Sequence, residues 1–64
     1  MEYSKNIKIL RERMFISQKE LAEILGVSFV SVNRWETKKF NPTIKAKKKL
    51  NDLFLKYNII DKKD

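Results

Sequence analysis

The chain of 64 residues has no cysteine and no histidine, and only one glycine and one proline. Each absence excludes something. Without cysteine there is no disulfide to staple the fold and no thiolate to hold a metal. Without histidine the usual general base and the best remaining metal ligand are missing. One glycine and one proline are too few for the turns of an all-β fold. No apolar run approaches the ~18 residues of a membrane span, and the first residues lack a signal peptide's apolar stretch. A chain this short buries only about 60% of its unfolded surface. That leaves little room for a substrate pocket of roughly 300 Å³ or more. These absences imply a small cytoplasmic protein that is not an enzyme. No metal, cofactor, membrane or small-molecule ligand is expected.

What is present is apolar content and positive charge. Hydrophobic residues make up 42% of the chain, too many for simple disorder and enough for one domain. Fifteen Lys and Arg against eight Asp and Glu give a net charge of +7. Lysines outnumber arginines 12 to 3, a bias that an AT-rich genome produces with no function attached. The placement of the charge says more than its sum. Residues 1–37 hold six basic and five acidic side chains, whereas residues 38–64 hold nine and three. The chain is nearly neutral up to Thr37 and strongly basic after it. No internal repeat or low-complexity linker divides it.

Helical periodicity organises most of the chain. Tyr3, Ile7, Leu10 and Met14 fall within about 60° of one another on a helical wheel, and Ser4 is placed to cap that helix. Phe15-Ile16 breaks the period. Ser17-Gln18-Lys19-Glu20 has the spacing of a capping box, in which the serine oxygen takes the N3 amide and the glutamate reaches back. Leu21, Ala22 and Leu25 form the apolar face of this second helix, and Gly26 suits the left-handed position that ends it. Val27 follows, and Ser28 caps again. On the third helix, Phe29 to Glu36, Val32 and Trp35 share the core face. Phe29, Val30, Asn33 and Arg34 spread over about 140° on the other side. Two short helices joined at a lone glycine form a helix-turn-helix signature. Lys38 to Pro42 reads as a loop, and Thr43 caps a fourth helix. Ala46, Leu50, Leu53, Phe54 and Tyr57 lie within roughly 100° of arc on it, and Asn58 is placed to end it. The expected core is Ile7, Leu10, Leu21, Ala22, Leu25, Val27, Val32, Trp35 and Leu50. The chain divides into a domain over 1–58 and a tail over 59–64.

The ungapped run from Ser17 to Ser28, with Val32, Trp35, Glu36 and Pro42 after it, resembles the Cro/C1-type (XRE-like) helix-turn-helix family. Looser similarity extends from Ile7 to about Phe54. The resemblance implies an all-α bundle of four to five helices with the lambda repressor-like DNA-binding fold. It implies sequence-specific binding of double-stranded DNA by a prokaryotic or phage transcriptional repressor, with the third helix in the major groove. Carried over residue by residue, it assigns base contact to Ser28, Phe29, Val30, Asn33 and Arg34. It assigns phosphate contact to Ser17, Gln18, Thr37, Lys38, Lys39 and Asn41, and an ion pair to Arg11 and Glu36. Many members have glycine where this chain has Phe15 and Lys38. Either these residues are left-handed, at a cost of about 1 kcal/mol each, or the turns take another conformation.

Other readings stand beside these. Phe29 either meets thymine methyl groups or packs on the second helix or a partner copy. Asn33 suits adenine N6 and N7, and Arg34 suits either guanine O6/N7 or a phosphate. Lys45, Lys47, Lys48, Lys49 and Lys56 are either solvated or near phosphates. A palindromic operator calls for a homodimer, for which Ile44, Leu55, Ile59 and Ile60 are the apolar residues left over. The last two either join that interface or fold back on this chain's own core. An antitoxin or restriction-modification controller with a protein partner is one alternative function. Others are an interaction module that has lost DNA binding and a binder of anionic membranes.

Overall fold

The computed structural model of the chain describes residues 2–60. Four helices follow one another: α1 (Tyr3–Met14), α2 (Gln18–Leu25), α3 (Phe29–Glu36) and α4 (Ile44–Lys56). Among the described residues there is no strand. The fold is therefore the all-α bundle of the small helix-turn-helix type, with four helices among the described residues. α3 packs on α1 and α2, and α4 closes the bundle against the same two helices. None of these helices is long and apolar enough to cross a membrane.

Caps place three of the four helix starts. Ser17 Oγ accepts the Glu20 amide while Glu20 Oε1 accepts the Ser17 amide, so the capping box is complete. Ser28 Oγ accepts from the Ser31 amide, and Thr43 Oγ1 from the Ala46 amide. α1 departs from the sequence expectation. It begins at Tyr3, with Glu2 in the cap position and no side-chain cap hydrogen bond. Ser4 lies inside the helix, buried, and its Oγ donates to the Glu36 carbonyl at 2.8 Å. A buried hydroxyl needs a partner, and the last turn of α3 supplies a carbonyl without an intrahelical one.

All four helices stop in the same way. After α1, the Phe15 amide donates to Glu12 O and the Ile16 amide to Arg11 O. Gly26 and Val27 repeat the pattern on Glu23 and Ala22, Lys38 and Lys39 on Trp35 and Arg34, and Asn58 and Ile59 on Leu55 and Phe54. These are paired Schellman bonds, and each needs one residue in the left-handed region. Those residues are Phe15, Gly26, Lys38 and Asn58, with φ between 56° and 73°. A chain with one glycine must build three such turns on residues that have a Cβ. Phe15 and Lys38 are thus left-handed, the strained one of the two conformations that the sequence leaves open.

The core is Ile7, Leu10, Leu21, Ala22, Leu25, Val32, Trp35, Ala46, Leu50 and Phe54. Val27 is half-buried and does not belong to it fully. As the residue after a left-handed turn it covers the edge of the core, as Ile16 and Ile59 do at theirs. Ile59 and Ile60 pack against this chain's own core. Residues 61–64 of the tail lie outside the described residues.

Candidate nucleic-acid interface

The exposed side of α3 carries two apolar residues that the core does not use. Phe29 and Val30 are 50% and 49% exposed. They follow Ser28, whose hydroxyl is spent on capping α3 and on the Ser31 hydroxyl at 3.0 Å. Half of Phe29 stays open on this face. Arg34, in the last turn of α3, is also exposed.

Behind this surface lies a polar network that joins three helices. Arg11 on α1 donates from Nε to Glu36 Oε2 at 2.5 Å and from Nη2 to Glu36 Oε1 at 2.9 Å. Gln18 Nε2, at the start of α2, donates to the same Oε1 at 3.1 Å. Asn33 Nδ2, on α3, donates to Gln18 Oε1 at 3.3 Å. The Glu36 side chain is 3% exposed and that of Arg11 24%. Burial by itself raises the Glu36 pKa. The hydrogen bonds from Arg11 and Gln18, with the charges of Arg11 and Lys8, outweigh it and hold the carboxyl below its ordinary range. The hydrogen bond to Glu36 raises the Arg11 pKa further, against the opposing effect of burial. No buried side-chain nitrogen or oxygen lacks a partner among the described residues.

The network restricts what Gln18 and Asn33 can offer. Each amide nitrogen carries two protons and uses one. Gln18 keeps one N–H for an outside acceptor. Asn33 keeps one N–H and its carbonyl oxygen, the donor and acceptor that adenine N7 and N6 require. The structure brings these two residues together, which the sequence reading does not foresee.

The loop after α3 returns along its end. Thr37 Oγ1 donates to the Asn33 carbonyl at 3.0 Å, which leaves only its oxygen lone pairs. Lys38 lies 4.0 Å from Glu2, an exposed pair that contributes little. Lys39 and Asn41 are exposed, while Pro42 is buried and anchors the loop. Ser17, expected at a phosphate, has its hydroxyl oxygen and its amide engaged in the capping box.

Three of the five α4 lysines have local work. Lys49 Nζ donates to the Leu25 carbonyl at the end of α2, Lys47 sits over the Tyr3 ring, and Lys56 over the Tyr57 ring. Phe40 escapes the sequence reading altogether. Its ring lies under the Arg34 guanidinium, with Cζ 5.1 Å from the centroid. The available signal is an aromatic residue in a loop that is otherwise polar and basic.

A family model described as helix-turn-helix matches residues 7–54. No curated protein and no solved structure matches the chain.

Proposed function

Since the chain belongs to the Cro/C1-type helix-turn-helix family, a family of DNA-binding regulators, we propose that it is a prokaryotic or phage transcriptional repressor. It reads a specific duplex sequence with α3 in the major groove. The observation that carries this reading is the composition of the exposed α3 face. Phe29 and Val30 offer apolar contact to thymine methyl groups, and Asn33 and Arg34 offer paired hydrogen bonds to base edges or, for Arg34, to a phosphate. Ser28, its hydroxyl committed to the cap, approaches the same groove. Gln18, backed by Glu36, holds a phosphate at the start of α2, where helix amides also favour an anion. Ser17, Thr37, Lys38, Lys39 and Asn41 lie along the backbone and set the register.

The operator is a palindrome bound by a homodimer. The described residues span 33 Å at most and carry one candidate reading helix, α3. Half-site centres lie about 34–36 Å apart, so a second copy supplies the second helix. Ile44 and Leu55 are the apolar residues that α4 leaves exposed. Eleven residues apart, they share one helix face to within about 20°.

Selection of bound sequences from a random duplex pool tests the reading. Enrichment of a symmetric site is expected, with affinity that falls steeply as salt rises. A salt-independent interaction, or no enrichment, rules it out in favour of a protein-interaction module.

A further inference from the structure

We propose that Phe40 is a positioning residue for the DNA contact of Arg34, a role that rests on the DNA-binding function above. The Arg34 guanidinium carbon stands 5.1 Å from the centroid of the Phe40 ring. The ring does not serve the core, for Phe40 is 58% exposed. Its place is set by the end of α3. Lys38 is left-handed at φ 65°, and the reversal brings the Lys39 and Phe40 amides onto the Arg34 carbonyl, at 3.0 and 3.4 Å. The same residue is thus held twice, its carbonyl by the loop backbone and its side chain by the loop's aromatic ring. Among the described residues Arg34 has no carboxylate partner to compete for its charge.

A guanidinium has an advantage here over an ammonium. Its five donors spread over a planar fork, so one contact with a ring leaves N–H groups free for an outside acceptor. Guanine O6/N7 and a phosphate both offer paired acceptors to such a fork. A free arginine loses rotamer freedom when it makes that contact. The contact with Phe40 removes part of that loss before DNA arrives.

The test is a double-mutant cycle in fluorescence anisotropy, with the selected operator and a random duplex as probes. Phe40→Leu removes the ring's quadrupole and keeps an apolar side chain. It is expected to weaken operator binding roughly two- to fivefold, the equivalent of an exposed cation–π contact. The melting temperature should not move, because the ring is outside the core. Phe40→Tyr should bind as the parent does. In an Arg34→Ala background, Phe40→Leu should have no further effect. A relaxed base preference at one position in Arg34→Ala assigns the contact to guanine, and a shallower salt slope alone assigns it to phosphate. Parent-like binding by Phe40→Leu overturns the positioning role and leaves the DNA-binding function standing. An equal loss in the Arg34→Ala background also overturns it, since Phe40 then touches DNA on its own account. Failure of the parent to bind either duplex overturns both.

Discussion

The Arg11 guanidinium meets the Glu36 carboxylate through two N–H groups, at 2.5 and 2.9 Å, across 25 residues of sequence. This pair ties the first helix to the end of α3. The Glu36 side chain is almost wholly enclosed, so removal of Arg11 strands a charge that Gln18 alone cannot satisfy. Arg11→Met is expected to cost about 3 kcal/mol, a fall in Tm on the order of 10–20 °C for a domain this small. Thermal melting by circular dichroism checks it. An unchanged Tm contradicts a stabilising role for the pair.

The same carboxylate sets an acid limit to stability. Its pKa in the folded state lies below its ordinary value of 4.5. A depressed folded-state pKa means that the contribution is complete above the unfolded value and disappears as pH falls through the folded one. The Tm is therefore expected to be insensitive to Glu36 ionisation down to about pH 5, and to fall below about pH 4.5. Glu36→Gln should lower the Tm at neutral pH and flatten the acid limb. An acid limb of unchanged slope in that variant excludes Glu36 as its source.

Phe15 and Lys38 offer stability that the chain does not use. Each holds a left-handed backbone with a Cβ in place, and the Phe15 side chain is 91% exposed, so little packing is at stake. Glycine relieves about 1–2 kcal/mol of strain and loses roughly half of that to the freedom of the unfolded chain. Phe15→Gly and Lys38→Gly are each expected to stabilise by about 0.5–1 kcal/mol. Urea unfolding measures this. The opposite holds at Gly26, where Gly26→Ala is expected to destabilise by about 1 kcal/mol.

The proposed backbone contacts of Lys38 and Lys39 predict a loss of affinity without a loss of specificity. Replacing both with glutamine is expected to weaken binding to every duplex alike, and to reduce the slope of log K against log salt by about 1.8. The preferred sequence should not change. A shifted preference in a repeated selection would place these lysines at base edges and contradict the assignment to the backbone.

Some of this protein is decided by neighbours in the chain. The capping box at Ser17 and Glu20, the stop at Gly26, the cap at Ser28 and the apolar stripe of α4 each depend on residues within one or two turns. Periodicity and turn chemistry report them directly. The charge division at Lys38 is legible for the same reason. The resemblance to a family added the partnership of Arg11 with Glu36, which no local pattern reveals.

The tertiary structure decided what lies between the helices. It turned Ser4 from a cap into a donor for the Glu36 carbonyl, because packing buries its hydroxyl against the end of α3. It held Phe15 and Lys38 left-handed, because paired carbonyl bonds and a core-facing residue after Phe15 outweigh the local strain. It joined Asn33 to Gln18, and it laid Phe40 beneath Arg34. Each of these depends on where a helix end meets another segment. Such meetings are set by the burial of Ile7, Leu10, Val32, Trp35 and Leu50 together, a balance that no short stretch of sequence contains.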